Sequence, residues 1–432
     1  MSGGAILLGG GVSAVLTDLS VEANDAFGFG GGVWIGPAAA SVPPSSVDLT
    51  RVDVAGNSAG EGGGVHNSGN MTLTDSLVNS NWASGTAGGI DNDGNLTVIR
   101  SRIGYNTAGV TGGIFNSGTS SFTMIDSRVI GNHSTSGGGL DAAGTTVIKD
   151  STISNNTAEQ EGGGLFVWGT TSVSGTTING NASGTDGGGV YVWVTEGPGL
   201  SLINTTISGN VADRDGGGIF VLVGTVELAN ATVAHNGASS GGAVAYSDAS
   251  VTRDVRASNS IVSNNSPNNC AEPVTSRGHN LEDADSCDLT AAGDLTDADP
   301  LLLPLGDYGG PTQTHALPTV NYPGDVIGPI SPAIDAGDDS MCPAADQRGE
   351  PRPIDGGGNG TADVETAAAN ACGNVDVYHV DHHGSNTSTN TSLVNRLAPE
   401  LAVASAGSGN SFGHPTISTI NRINQASGSV PM

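Results

Sequence analysis

This chain of 432 residues contains 69 glycines and only 4% aromatic residues, which leaves too few large apolar side chains for a conventional close-packed globule. Its formal net charge of −29 excludes tight binding to a nucleic-acid backbone and disfavours an anionic membrane surface. No stretch of the sequence is long and apolar enough to span a bilayer. An acidic surface of this kind is typical of highly soluble proteins, of salt-tolerant proteins and of proteins that bind Ca²⁺ on acidic turns.

The first residues lack the pattern of a signal peptide. Residues 3–16 are apolar, but no basic segment precedes them. Residues 3–6 instead match the glycine corner of the later repeats. We therefore expect the chain to begin inside a repeat, as a fragment would, with an uncapped first coil that permits end-to-end self-association.

Ten asparagines recur in one local sequence frame. Each lies three residues after a Val or Ile and two residues before an Ala or Ser, and their commonest spacing is 24 to 26 residues. Each unit also contains short runs of alternating apolar and polar residues, which are typical of strands, and glycine tracts that disfavour helix. The ten are Asn24, Asn57, Asn81, Asn106, Asn132, Asn156, Asn181, Asn210, Asn236 and Asn264.

Repeats of equal length bury their apolar sides by stacking on one another. Units of about 25 residues with three short strands predict an all-β fold, a right-handed parallel β-helix of about ten coils over residues 1–269. Val78, Ile103, Val129 and Ile153 should then share one inward-facing file. A ladder of side-chain amides along the axis is expected for Asn81, Asn106, Asn132, Asn156, Asn181, Asn210 and Asn236.

Several carboxylates lie beside the glycine corners of adjacent coils. Asp186, Asp213 and Asp215 flank two such corners together with Arg214, and Glu159 and Glu161 lie one coil earlier. Carboxylates on one face of neighbouring coils are the pattern that a polysaccharide lyase or glycoside hydrolase requires. Asp and Glu are also common turn residues, so a purely structural role stays open.

Four cysteines follow the repeats, and none shows the spacing of a metal site. An even number in an acidic chain rich in small residues favours an exported protein with two disulfides. Cys270 with Cys287 is the first candidate pair, and Cys342 with Cys372 is the second. Isolated thiols are the alternative.

The segment from residue 270 to residue 355 is rich in Pro and Asp and has few long apolar runs. Its ordered motifs include Gly278-His279-Asn280-Leu281, Gly309-Gly310-Pro311-Thr312 and Ser331-Pro332-Ala333-Ile334-Asp335. With the repeats, they resemble the C-terminal part of bacterial choice-of-anchor Q proteins over residues 1–355. The resemblance implies an extracellular right-handed β-helix, secreted or held at the cell surface. We expect residues 270–355 to form an irregular cap over the end of the rod.

Residues 356–432 carry a different pattern, strand–helix–strand–helix, which predicts a small α/β tail. The motifs Asp381-His382-His383-Gly384-Ser385 and Gly413-His414-Pro415 resemble the C-terminal end of competence-type metallo-β-lactamase-fold hydrolases. That resemblance implies that His382 or His383 is a zinc ligand, with His414 close by. The other ligands of such a site are missing, so Zn²⁺ would bind only if another chain completed the site.

Three functions follow from these patterns. The first is a secreted or cell-surface β-helix with a structural, adhesive or glycan-binding role, no complete catalytic site, and an extracellular polysaccharide or cell-surface partner. The second is a lyase or glycoside hydrolase that acts on one face of the β-helix. The third is a metal-dependent hydrolase through the tail.

Overall fold

The computed structural model describes residues 4–247, 252–318, 331–334, 336–350 and 352, together with two short strands of the tail. The chain divides into two units, of which the first comprises Met1–Pro318 and Ile330–Gly349. In the second unit, Val377–His379 pairs in parallel with Leu401–Val403, where the sequence predicts two strands. The predicted tail helices, His382, His383, His414 and Cys372 lie outside the described residues.

The first unit is a parallel β-solenoid of the right-handed type with about ten turns, as the repeat predicts. Its strand ladders are parallel, and each strand pairs with the equivalent strand of the next coil. Helix is almost absent: within the described ranges the structure has one 3₁₀ turn, Asp339–Met341. None of the described helical residues forms a segment able to cross a bilayer.

The first sheet follows the glycine corners and consists of short strands. Because the strands have three or four residues, the first and third side chains point inward and the central one points outward. Its strands are Ile6–Leu8, Val33–Ile35, Val65–Asn67, Ile90–Asn92, Ile114–Asn116, Leu140–Ala142, Leu165–Val167, Val190–Trp193, the start of Ile219–Ala229, and Val244–Tyr246.

The second sheet supplies most of the core. A bend divides it into two strands per coil, except where one strand runs through the bend. Its strands are Ser13–Glu22, Ser46–Ala55, Asn70–Thr74, Leu77–Asn79, Asn95–Ile99, Arg102–Gly104, Ser121–Ile125, Arg128–Ile130, Thr145–Lys149, Thr152–Ser154, Thr171–Ser174, Thr177–Asn179, Leu200–Ile203, Thr206–Ser208, the end of Ile219–Ala229, Thr232–Ala234, Arg253–Ser258, Ile261–Ser263, Thr275–Ser276 and Leu281–Glu282.

The third sheet is a row of two-residue strands that closes each coil before the glycine corner. The small Ala or Ser at the second position of each strand is buried there, because the chain turns tightly. The strands are Ser58–Ala59, Trp82–Ala83, Thr107–Ala108, His133–Ser134, Thr157–Ala158, Ala182–Ser183 and Val211–Ala212.

One aliphatic file fills the interior behind the second sheet. Val78, Ile103, Val129 and Ile153 lie in direct register and have no exposed surface. Burial of such a side chain stabilises the fold by about 1.5–3 kcal/mol. The predicted inward file is confirmed.

A row of asparagine side chains runs parallel to this file. In each coil the Nδ2 group donates to Oδ1 of the asparagine in the next coil, at 3.0 Å between Asn132 and its neighbour Asn106 and at 2.9 Å between Asn132 and Asn156. The same Nδ2 donates to a backbone carbonyl of the preceding coil, and Oδ1 also accepts a backbone N–H. The row runs from Asn24 through Asn236, then through Asn265 to Asn269, whose Nδ2 donates to the carboxylates of Glu282 and Asp283.

In the last coil, the residues that occupy the repeated positions lie one residue later than the repeat pattern predicts. Val262 pairs with Val233, and Asn265 occupies the asparagine row, whereas Asn264 is exposed with φ of 56°. The sequence pattern places Asn264 in the asparagine row and Ile261, three residues earlier, in the aliphatic file, and both placements were wrong. Two adjacent asparagines offered two frames, and the local sequence does not distinguish them.

The glycine corners require glycine for two reasons. The first glycine of a corner has positive φ, for example 62° at Gly137 and 68° at Gly162. A Cβ atom on the next residue, Gly138, would lie 2.5 Å from the carbonyl oxygen of Gly163. Successive coils therefore approach one another too closely at this corner for any side chain.

Residues 270–298 continue the stack with two short strands on the second sheet. A disulfide joins Cys270 to Cys287, and both residues are buried. The predicted pairing of these two cysteines is present. The side-chain Nδ2 of Asn259 donates to Cys342 Sγ at 3.6 Å, and the predicted partner of Cys342 is outside the described part of the chain.

The segments 299–318, 331–334 and 336–349 contact the side of the rod. Thr312 donates to the carbonyl of Gly175, and Gln347 donates to the Thr177 hydroxyl at 3.1 Å. The hydroxyl of Thr206 donates to the Gln347 side chain at 2.8 Å. These contacts tie the segments to coils before the last one. The covering of the terminal coil by residues 270–355, and end-to-end association through the first coil, stay predictions.

Candidate functional site

The predicted carboxylates lie at the corner between consecutive coils. Asp186 is buried and forms an ion pair with Arg214, whose Nε lies 3.2 Å from Asp186 Oδ1. The backbone N–H of Asp215 donates to the same oxygen at 3.3 Å. Asp213 is exposed, and its backbone carbonyl accepts a bond from Ser239. This geometry gives Asp186 a structural partner, and a catalytic role for the three aspartates stays a prediction.

The outer face of the first sheet presents a different set of side chains. The central residue of each strand points away from the core, and the pairing places these residues in one continuous file. The file consists of Trp34, His66, Asp91, Phe115, Asp141, Phe166, Tyr191, Phe220 and Ala245.

Five aromatic side chains, which we call the aromatic row, lie on three successive coils of this face. The ring of Tyr191 packs edge-on against Phe166 at 4.7 Å and stacks on Phe220 at 5.4 Å. Beside them, Trp168 and Trp193 stack at 4.7 Å and are 40% and 38% exposed. The two indoles therefore combine packing against each other with a surface open to a ligand.

A cavity of about 230 Å³, the aromatic groove, opens beside this row. Aromatic walls with a few polar groups are typical of ligand sites in proteins. The lining residues are Val110, Ser136, Asp141, Glu161, Phe166, Trp168, Tyr191 and Trp193.

Asp141 is the unusual residue of the groove. It is 3% exposed, and its Oδ1 has no hydrogen-bond partner among the described residues. Burial raises the pKa of its carboxyl group to about 8, because the charged form loses its hydration and gains no compensating partner. At neutral pH the side chain is therefore a neutral carboxylic acid that can donate a proton.

Glu161 lies at the half-buried edge of the groove. The hydroxyl of Ser136 donates to its Oε2 at 3.3 Å. Burial, and then the negative charges of Glu161 and Asp186, raise the pKa of the Tyr191 hydroxyl. Tyr191 is thus a neutral hydrogen-bond donor in the groove at physiological pH.

A second polar cluster lies farther along the same outer file. The Nδ1 atom of His66 is 2.8 Å from Asp91 Oδ2, and its Nε2 atom is 3.0 Å from the Ser68 hydroxyl and 4.0 Å from Asp93 Oδ2. Burial raises the pKa of Asp91, and the bond to His66 partly offsets this effect. Among the described residues, His66, Asp91 and Asp93 are the donors close enough together to hold a metal ion. This cluster is not among the metal sites predicted from the sequence.

A larger cavity of about 430 Å³ lies between the rod and the segment 299–318. There the hydroxyl of Ser208 lies 2.8 Å from His315 Nε2, and Nδ1 of that ring lies 2.7 Å from the carbonyl oxygen of Leu303. Burial lowers the pKa of His315, so the ring stays neutral. Since Ser208 is itself buried, this pair holds the segment against the rod.

The aromatic groove was missed in the sequence because its residues do not repeat. A usable signal was present: each residue follows the first buried aliphatic residue after a glycine corner, as in Gly139-Leu140-Asp141 and Gly164-Leu165-Phe166. Alignment of the units on the glycines, rather than on the asparagines, would have placed Asp141, Phe166 and Tyr191 in one column.

The fold and this groove define a parallel β-solenoid with a lateral ligand-sized cleft. No family model matches the chain, and no solved structure matches it. Competence protein ComA of Neisseria gonorrhoeae is 47% identical over 47 residues, which cover 11% of this chain and 7% of that protein. Recombination protein 2 of Haemophilus influenzae is 35% identical over 68 residues, covering 16% and 9%.

The chain thus spans less than a tenth of the length of these two curated relatives. Matches this short establish neither a family nor a hydrolase remnant in the tail. The resemblance to choice-of-anchor Q proteins likewise stays a prediction.

Proposed function

We propose that this protein is a secreted or cell-surface β-solenoid that binds a neutral extracellular polysaccharide in the aromatic groove. The observation that carries the proposal is the aromatic row, in which Trp168 and Trp193 stack on adjacent coils and border the cavity. Exposed aromatic rings offer flat apolar surfaces to sugar rings, and the tryptophan N–H and tyrosine hydroxyl groups offer hydrogen bonds.

The geometry of the row suits an extended chain. Successive coils lie roughly 4.8 Å apart, which is comparable to the length of one sugar residue in an extended polysaccharide. Trp168 and Trp193, which are exposed on two adjacent coils, can therefore contact consecutive residues of one ligand. This supports a polymer rather than a single small molecule as the partner.

Charge favours a neutral ligand over an acidic one. The net charge of the chain is −29, and Glu161 lies at the edge of the groove. An acidic glycan would be repelled by this field, whereas a neutral one would not. The buried Cys270–Cys287 disulfide supports an oxidising compartment outside the cytoplasm.

Titration of the full chain with neutral hexasaccharides, followed by tryptophan fluorescence, tests the proposal. We expect saturable binding of at least one hexasaccharide of glucose, mannose, xylose or N-acetylglucosamine, and none of hexagalacturonate. Trp168→Ala and Trp193→Ala should each weaken binding by about 2–13-fold, since an aromatic contact contributes about 0.5–1.5 kcal/mol.

Trp82→Ala is the matched control, because Trp82 is 52% exposed on the third sheet, away from the groove. Its substitution should leave affinity unchanged. Equal losses in all three variants, or no saturable binding of any neutral hexasaccharide, would contradict the proposal.

A further inference from the structure

Two carboxyl groups line the aromatic groove, and sugar binding alone does not account for them. Asp141 is the central residue of the strand Leu140–Ala142, so its side chain extends outward into the floor of the groove. Glu161 belongs to the turn before the glycine corner of the next coil and lies at the edge. The groove therefore holds one carboxyl group that is shielded from water and one that water can reach.

The surroundings of Asp141 differ from those of the other buried aspartate in the same file. Asp91 bonds to His66 at 2.8 Å, as a structural carboxylate does. By contrast, Asp141 lies in register between Phe115 and Phe166, and its Oδ1 has no partner among the described residues. The buried hydroxyl of Thr111 likewise has no hydrogen-bond partner among the described residues.

Unsatisfied buried polar atoms are rare in folded proteins, and each one requires an explanation. The other buried aspartate of the file, Asp91, has its partner in His66. An aspartate that faces a cavity without a protein partner is instead placed to bond to whatever fills the cavity.

We propose that the groove also hydrolyses a glycosidic bond, with Asp141 as the proton donor and Glu161 as the proton acceptor. This inference rests on the proposed function, since the substrate is the polysaccharide bound by the aromatic row. Asp141 donates its proton to the glycosidic oxygen as the bond from that oxygen to the anomeric carbon breaks. A water molecule forms the new bond to the anomeric carbon and gives its proton to Glu161.

The reaction balances within the site. The leaving sugar departs with the proton of Asp141, the other sugar gains the hydroxyl of water, and Glu161 carries the remaining proton. Exchange with solvent then returns a proton to Asp141 and removes one from Glu161. No oxidant, reductant or other reactant is required.

The environments suit these roles. Burial keeps Asp141 protonated at neutral pH, which a general acid requires. The hydroxyl of Ser136 donates to Glu161 at 3.3 Å, and the half-buried position of Glu161 gives water access to its carboxylate. Trp168 and Trp193 border the same cavity, so sugars bound to the aromatic row lie next to both carboxyl groups.

The test uses the hexasaccharides of the binding experiment, labelled at the reducing end and incubated with the full chain. We expect shorter labelled products from the hexasaccharide that binds. Asp141→Asn and Glu161→Gln should each reduce the rate by at least about 100-fold, with affinity changed by less than about threefold. The rate of the wild type should fall above about pH 8, as Asp141 loses its proton.

Asp91→Asn is the matched control, because it removes a buried aspartate of the same file that lies outside the groove. It should retain cleavage. The Glu161→Ala variant should recover turnover with azide, which replaces the activated water and yields a glycosyl azide; a merely structural role for Glu161 predicts no such product.

The outcomes separate the two proposals. Binding without cleavage over about pH 4 to 9 would overturn the hydrolase and leave the binding function intact. Cleavage that survives Asp141→Asn would overturn the assignment of the proton donor. Failure of every neutral hexasaccharide to bind would overturn both the binding function and the hydrolase that rests on it.

Discussion

Replacement of Asp141 by asparagine should stabilise the protein, and the gain should grow with pH. The pKa of Asp141 is raised from 3.8 to about 8 in the folded state by burial. Below pH 3.8 the carboxyl is protonated in both the folded and the unfolded state, so its ionisation does not change the free energy of unfolding. Between the two values only the unfolded chain loses the proton, so the free energy of unfolding of the wild type falls as pH rises.

The magnitude follows from the size of the shift. Each unit of pKa difference corresponds to about 1.4 kcal/mol, so the relative gain of Asp141→Asn should be about 3 kcal/mol at pH 6 and about 5 kcal/mol at pH 8, and should level off at about 6 kcal/mol above about pH 9. Asparagine has nearly the same shape but no ionisation, so the change with pH isolates the carboxyl group.

Guanidinium unfolding of both proteins at several pH values, followed by circular dichroism, measures this difference, since contributions of other groups cancel. Asp18→Asn is the control of opposite sign. The bond from Arg51 lowers the pKa of Asp18, so that variant should become relatively less stable as pH rises through 3.8. A difference between Asp141→Asn and wild type that stays flat from about pH 4.5 to 8 would refute the reasoning.

Three further predictions concern the frame of the rod. Asn132→Ala should lower the free energy of unfolding by at least about 3 kcal/mol, because it removes four hydrogen bonds in a buried row and leaves their partners unsatisfied. Cys287→Ser should cost about 3 kcal/mol, since the disulfide closes a loop of 17 residues. Arg214→Ala should destabilise the corner by about 1–3 kcal/mol, because it leaves Asp186 buried without its cation, but should not change sugar binding.

Chemical denaturation and the hexasaccharide titration check these three predictions. Asn95→Ala is the control for the asparagine row, because its bond to Asn70 is exposed, and it should change stability by less than about 0.5 kcal/mol. The first prediction is contradicted if Asn132→Ala is as stable as Asn95→Ala. The second is contradicted if Cys287→Ser, which lacks the disulfide, unfolds with the same free energy as the wild type. The third is contradicted if Arg214→Ala no longer binds sugar.

The interior of the rod was predictable because every coil meets the same packing problem. An aliphatic residue of similar size must fill the same space in each coil, so residues such as Val78 and Ile103 recur at a fixed spacing that the sequence reveals. The exception is instructive: Asn264 and Asn265 offer two frames, and the choice between them depends on pairing with Val233 in the preceding coil. Local sequence carries no information about that contact.

The groove could not be predicted in the same way. Its residues point outward, where packing does not force successive coils to resemble one another, so Asp141 follows Phe115 and precedes Phe166 without a pattern. The same limit applies to Asp186, which pairs with Arg214, 28 residues later in the chain. The sequence pattern favours the carboxylates nearest the glycine corners as catalytic candidates. One of them, Asp186, is paired with Arg214 within the fold.

The asparagine row has a direction. In each coil one N–H of the side-chain amide donates to the asparagine of the next coil, toward the C-terminal end, so the amide dipoles align head to tail and polarise one another. The aligned dipoles leave partial positive charge where the last amide, that of Asn269, points outward from the row. There it meets the carboxylates of Glu282 and Asp283. The asparagine row thus resembles a helix dipole whose positive end is bonded to two carboxylates, and additional coils would lengthen the row while this end stays paired.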